Sequence, residues 1–218
     1  MRPPHQFPHD CRRQLFLVKP GVELTAVTTR RTNNIRAFIA IHLPDDVKEY
    51  LEGVTETLAG QAPRRSVRWV KPALLHLTMR FLGDTPVSQL PRIAVALDSV
   101  AAAHAPFEMR LDQLGCFPNR KWPRVIWVGL SGELEPLRTL KKGIDACLAP
   151  LGWEPEDRPF RAHLTLGRVK DSRGLAGSGW GAEVEPLSVP VTAVHLVESQ
   201  LRPTGPIYTV RHVTRLGG

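Results

Sequence analysis

Two short segments of this 218-residue chain carry the same pattern. Leu75-His76-Leu77-Thr78-Met79-Arg80 and Ala162-His163-Leu164-Thr165-Leu166-Gly167-Arg168 each place a threonine two residues after a histidine, within an alternation of polar and apolar side chains. Strand side chains point alternately to opposite faces. The spacing therefore predicts His76, Thr78 and Arg80 on one face, with Leu75, Leu77, Met79 and Phe81 on the other. His163 and Thr165 share a face opposed by Leu164 and Leu166. Each copy offers one imidazole beside one hydroxyl, with an apolar back for a core.

One His-x-Thr in a strand means little, because a half-buried histidine beside a β-former is common. Two copies suggest related halves facing each other. Paired imidazoles on opposite walls of a cleft suit a phosphodiester: one removes a proton from water while the other protonates the departing ribose oxygen. Imidazole fits both tasks because its unperturbed pKa lies near neutrality. Thr78 and Thr165 could hold the non-bridging oxygens and keep phosphorus in line. Arg80, on the expected His76 face, is a further candidate phosphate contact, although a solvated strand arginine reads the same way. Threonine is rarely a metal ligand and no Cys/His cluster is present, so neither a metal nor another cofactor is expected.

Other residues carry weaker signals. Trp69, Trp122 and Trp127 could stack a base, with Trp127, in an apolar strand, favouring the core. Arg161 and Arg168 fall off the dependable alternation. The glycine-rich stretch Arg173–Gly181 lacks the Gly-Lys-Ser/Thr ending of a P-loop and reads as a flap or solvent loop. His42, His104, His195 and His212 read as structural or exposed.

The elements that must position the two motifs are legible from period and punctuation. Ile35–His42 reads as a strand. Asp45 is expected to cap a helix with Val47, Leu51, Val54 and Leu58 on one face. Val67–Val70 and Leu74–Leu82 read as extended. Ser88 is expected to begin a second helix, with Leu90, Ile93, Leu97 and Val100 inward and Pro91 in its first turn. Phe107–Phe117 and Arg124–Leu130 read as strands joined by the Pro118–Pro123 turn. A third helix runs from Leu134 to Leu148, with Gly152 beyond it. Arg161–Arg168, Pro190–Ser199 and Ile207–Thr214 complete the strands. Many strands with short connections and three interspersed helices predict an α+β class with antiparallel pairing.

Residues 1–33 differ, with scattered prolines and no sustained period, and read as a disordered extension ahead of a domain at 34–218. Arg12-Arg13 before Leu15-Phe16-Leu17 is a poor export signal, because Lys19, Pro20 and Glu23 interrupt the apolar stretch and no small-residue cleavage site follows. A start codon placed too far upstream would also explain the segment. The net charge of +8 divides into +4 in residues 1–33, from six basic and two acidic groups, and +4 in the remainder. A basic body favours an anionic partner. Apolar runs are too short to span a bilayer. Cys11, Cys116 and Cys147 form no disulfide framework, which points to a reducing cytoplasm.

The chain resembles the bacterial and archaeal RNA 2′,3′-cyclic phosphodiesterases, also called 2′-5′ RNA ligases, of the two-histidine phosphoesterase superfamily. The resemblance runs from about Ile35 to Leu216. It is carried by IRAFIAIHLPDDVK at 35–48, VRWVKPALLHLTMRFLGD at 67–84, FPNRKWPRVIWVGL at 117–130, EDRPFRAHLTLGRVK at 156–170 and VHLVESQLRPTGPIYTV at 194–210. It implies a bilobal fold in which two antiparallel sheets with outer helices face a central cleft. It implies His76 as proton donor, His163 as proton acceptor, Thr78 and Thr165 as phosphate-binding residues, and a 2′-phosphomonoester product. Members often carry proline just before the second histidine, where this chain has Ala162. Related chemistries remain: a small cyclic nucleotide or ADP-ribose cyclic phosphate as substrate, ATP-independent 2′-5′ ligation, or recognition of RNA termini without turnover. Retention of both histidines argues against a pure binder. The partners expected are RNA 3′ ends or cyclic nucleotides, with no membrane and no obligate protein partner.

Overall fold

The first motif lies at the middle of a run of antiparallel strands. In the computed structural model, which describes residues 33–175 and 184–217, β1 (Asn34–His42) pairs with β3 (His76–Pro86) on one side and with β8 (Ala193–Arg202) on the other. β9 (Gly205–Arg215) completes this half against β8. The second motif belongs to β6 (His163–Val169), which pairs with β5 (Val125–Gly132); β5 pairs with β4 (Phe107–Phe117), and β4 with β7 (Ser188–Val191). The two expected sheets meet at a single residue pair, Leu77–Leu164, so one nine-stranded sheet runs through both halves. Beyond that pair β6 takes the short strand β2 (Val67–Trp69) as its neighbour instead of β3. The motif strands therefore diverge from one point, which opens a cleft between the halves.

Strand order and chain order together require the sheet to curl. β7 and β8 are separated in sequence by Thr192 alone, yet six strand spacings separate them in the order β7-β4-β5-β6-β3-β1-β8. Laid flat, six spacings would span roughly 29 Å, whereas two consecutive Cα steps reach at most about 7 Å. The sheet must bend round until its ends approach. The sequence reads one strand over Pro190–Ser199, and the structure corrects this: β7 ends at Val191 and β8 begins at Ala193, and the buried positions change phase between them, from Val189 and Val191 to Val194 and Leu196, where the chain passes from one half to the other.

Three helices cover the back. α1 (Asp45–Gln61) buries Val47, Leu51 and Leu58 and packs against β2. α2 (Leu90–Ala101) buries Leu90, Ile93 and Leu97; it packs with α3 (Leu134–Leu148) and also against β8 and β9, while α3 reaches β3. Two boundaries differ from expectation. Pro44 holds the N-cap of α1, and Asp45 stands with Asp46 in the first turn, where carboxylates favour the positive helix end. A 3-10 turn at Val87–Gln89 precedes α2, so Ser88 is not its first residue. Gly152, at φ 102°, ends the 3-10 turn after α3 in the left-handed region, as its position predicts. One continuous apolar cluster joins the outer faces of both halves to the helices, including Leu77, Met79, Leu164 and Leu166. The segment 1–32 and residues 176–181 of the glycine-rich stretch lie outside the described residues. No helix among the described residues is long and apolar enough to cross a membrane.

Candidate active site

Leu77 and Leu164, the residues that join the two halves, each follow a motif histidine and are buried at 1% and 0% exposure. An antiparallel register through them brings His76 level with Thr165 and Thr78 level with His163, all four on the opposite, cleft face. A pseudo-two-fold axis thus passes between the leucines. All four side chains are half-buried. Neither threonine hydroxyl is engaged by another group among the described residues, which leaves both available to a ligand.

The histidines are held alike. His76 Nδ1 lies 2.7 Å from Leu74 O, and His163 Nδ1 lies 2.7 Å from Arg161 O. A carbonyl oxygen only accepts, so each Nδ1 carries the proton and donates. Each Nε2 is left to face the cleft, with a lone pair when the ring is neutral and a proton when it is charged. The 3-10 turn Pro72–Leu74 presents the first carbonyl. Leu74, expected to be extended, belongs to that turn.

Aromatic rings floor the cleft on both sides. Phe38 lies 4.8 Å from the His76 ring, and Tyr208 meets His76 edge-on at 5.4 Å. Phe117 meets His163 edge-on at 5.1 Å, and Trp127 stands 6.5 Å away. The ring of Trp127, expected in the core, instead lies on the cleft face over Gly115. A Cβ at Gly115 would collide with that ring, so only glycine admits the indole there.

A β-bulge follows each motif at the same place. The β1–β3 register skips Met79, and the β5–β6 register skips Leu166. A bulge adds one residue and reverses the facing of those beyond it. Phe81 consequently turns to the cleft side, 6.1 Å from Phe38, while Arg80 turns to the helix side and is 5% exposed. This corrects the expectation that Arg80 shares the His76 face. Arg80 binds Asp145 of α3 at 3.4 Å, donates to Glu154 O and reaches Glu156 at 3.8 Å. Lys141 joins the same cluster, 2.5 Å from Asp145. In the second copy Gly167 takes the corresponding place, and Val67 and Trp69 fill the space a side chain would need. Arg168 then takes the place of Phe81. It is exposed and, with Arg68, lies close enough to Tyr208 to oppose the rise in phenol pKa that burial causes. Arg168 is thus a cation at the cleft that alternation alone could not assign; the matching bulges were the missing signal.

Burial holds the His76 pKa below the ordinary histidine value; the Leu74 carbonyl opposes this and charge on His163 adds to it. The two imidazoles therefore sense each other. His42, the cross-strand partner of His76, stacks on His195 at 3.9 Å and 8°. Burial and then the neighbouring His195, His76 and Lys48 bring His42 from 6.5 to about 4, and burial also lowers His195. His212 instead pairs with Asp98 at 2.8 Å, and His104 Nδ1 lies 2.8 Å from Val100 O. Among the described residues no three or more His, Cys, Asp or Glu side chains are grouped to hold a metal ion.

The three lowered histidines predict a pH-dependent stability. An unfolded chain takes up these protons near pH 6.5, while the folded chain resists them, so acid favours unfolding. The stabilising difference is fully present above about pH 6.5 and is lost as pH falls towards the folded value of about 4 for His42. The urea midpoint should fall between pH 7.5 and pH 5, and less steeply in His42→Phe. An equal midpoint at both pH values would refute the assignment.

The LigT-like phosphoesterase model matches residues 41–127 and again 128–208, each match containing one motif. An RNA 2′,3′-cyclic phosphodiesterase of Methanothermobacter thermautotrophicus is 34% identical over 188 residues, covering 84% of this chain and 99% of that protein. A Thermus thermophilus protein with the same description is 35% identical over 198 residues, covering 84% and 91%. Among solved structures, that of TT0787 from Thermus thermophilus superposes with a TM-score of 0.70 at 35% identity, over 84% of this chain and 99% of that one. Escherichia coli LigT complexed with 3′-AMP gives 0.70 at 25% identity, over 85% and 99%. With both motifs matched by the same family model and nearly the full length of these relatives covered, the chain belongs to the LigT-like phosphoesterase family.

Proposed function

We propose that this protein is a hydrolase that opens 2′,3′-cyclic phosphates at RNA 3′ ends, as the names of its relatives state for them. The observation that carries this reading is the paired geometry of His76 and His163. Each Nδ1 is tied back to a backbone carbonyl, and each Nε2 is free in one cleft. The cyclic phosphate lies between the threonine hydroxyls, with Arg168 adding positive charge. His163 Nε2 takes a proton from a water aligned opposite the 3′-oxygen. Water oxygen bonds to phosphorus as the P–O3′ bond breaks, and His76 Nε2 gives its proton to O3′. The products are a 2′-phosphomonoester and a free 3′-hydroxyl. His76 ends neutral and His163 charged, and exchange with solvent restores the starting state. The cytoplasm, where RNA is processed, is the compartment this reading implies.

The donor role requires a charged His76, which burial disfavours in the free protein. An anionic phosphate beside the ring works the other way and favours imidazolium. Two coupled imidazoles give a bell whose limbs belong to the pair. The kcat/KM profile reports the free enzyme and kcat the complex, so the optimum in kcat should lie at higher pH than that in kcat/KM. Both profiles should survive prolonged chelation. The test is steady-state hydrolysis of an RNA ending in 2′,3′-cyclic phosphate across pH, with and without chelator, resolving 2′- from 3′-monophosphate. A rate abolished by chelation and restored by one metal ion, or a 3′-monophosphate product, would overturn this mechanism.

A further inference from the structure

We infer that the β4–β5 turn, residues 118–123 with Arg124 at its exit, is a binding site for the RNA strand that leads up to the cyclic end. This rests on the hydrolase reading above and adds a site to it. A chain whose 3′ end sits between His76 and His163 must leave the cleft on the 5′ side. The turn stands at the rim on the His163 side: Phe117, at its base, meets the His163 ring at 5.1 Å. At the same end of β6, Arg168 and Arg68 already face Tyr208.

Trp122 at the tip is 67% exposed, although indole is a large apolar group that proteins ordinarily cover. The turn holds it there. Asn119 Oδ1 accepts from the N–H groups of Lys121 and Trp122, both at 3.0 Å, and Arg124 N–H closes the loop onto Phe117 O at 2.7 Å. Arg120, Lys121 and Arg124 flank the indole, and among the described residues none of the three meets a carboxylate. A presented aromatic plane among unpaired cations is what a single strand recognises. Stacking accepts any base, and the cations accept the phosphates. The occupant is therefore single-stranded RNA of relaxed sequence, bound beside the catalytic cleft.

The test compares a mononucleoside 2′,3′-cyclic phosphate with a tetranucleotide ending in the same group. Trp122→Ala should raise KM for the tetranucleotide about tenfold, within the range for one stacked base. It should leave kcat and the mononucleotide constants unchanged, and Trp122→Phe should restore the lost affinity. Replacing Arg120, Lys121 and Arg124 together by alanine should flatten the slope of log KM against log salt for the tetranucleotide by about 2, at about 0.7 per phosphate contact. Equal losses on both substrates, or none on the tetranucleotide, would overturn the site. If the unaltered protein cleaves neither substrate, the hydrolase reading fails instead. The site is then read by tryptophan quenching with a tetranucleotide bearing a plain 3′-hydroxyl. Quenching that disappears in Trp122→Phe supports the site, and its absence in the unaltered protein refutes it.

Discussion

Replacing His76 or His163 by alanine is expected to lower kcat for cyclic phosphate hydrolysis by about 10²- to 10⁴-fold, the usual worth of one positioned proton-transfer group. The two losses should not add. Once either proton path is gone the concerted step is already lost, so the double variant should be little slower than the worse single one. The fold should survive both changes. Burial depresses the His76 pKa, so the protein gains nothing from His76 in its charged form. His76→Ala should accordingly resist acid at least as well as the unaltered chain. The variants differ in pH profile. Without the base, the rate should lose its acidic limb; without the acid, its alkaline limb. Near-normal turnover by either folded variant would remove the two-histidine mechanism.

The motif pair was legible because it rests on a local pattern repeated twice. His76, Thr78, His163 and Thr165 fall at period-2 positions before any irregularity, and alternation holds over three residues with little help from context. Helices were legible for a similar reason. The faces carrying Val47, Leu51 and Leu58, or Leu137, Leu140, Ile144 and Leu148, repeat at helical spacing and are buried.

What lay out of reach was set by tertiary pairing. A bulge is a property of two strands, and nothing in the sequence around Met79 or Leu166 records that β1 or β5 skips a residue there. Each skip exchanged the faces of the residues beyond it. Arg80 left the cleft, and Phe81 and Arg168 entered it. Trp127 misled for another reason, since an apolar strand with two buried faces and one with an aromatic cleft face have the same composition. Gly115 directly across from it was the available clue. The His42–His195 stack joins residues far apart in sequence and could be seen only once β1 and β8 were adjacent.

Arg80 supplies the sharpest separation between these readings, because its two candidate roles predict opposite results. Its guanidinium is buried among Asp145, Glu156 and the Glu154 carbonyl, and the Trp153 indole N–H donates to Leu82 O at 2.8 Å beside it. These contacts fasten β3, just past the first motif, to the segment that runs into His163. Removing the guanidinium leaves the Glu154 carbonyl without its donor and Asp145 with Lys141 as its remaining cation, at about 1–3 kcal/mol. Arg80→Met keeps much of the side-chain volume and removes only the charge and its donors. It should lose stability on that scale, a fall in Tm on the order of 5 °C for a domain of this size. Arg80→Lys should recover only part, since an ammonium cannot span three acceptors in the fixed fork of a guanidinium. Inhibition by inorganic phosphate, measured where all variants are folded, should not change, because Arg80 faces away from the cleft. The opposite result, an unaltered Tm with weakened phosphate inhibition, would return Arg80 to the catalytic face and discard the bulge at Met79. Arg168→Met should show that opposite result: exposed and at the cleft, it should weaken phosphate inhibition and leave Tm where it was.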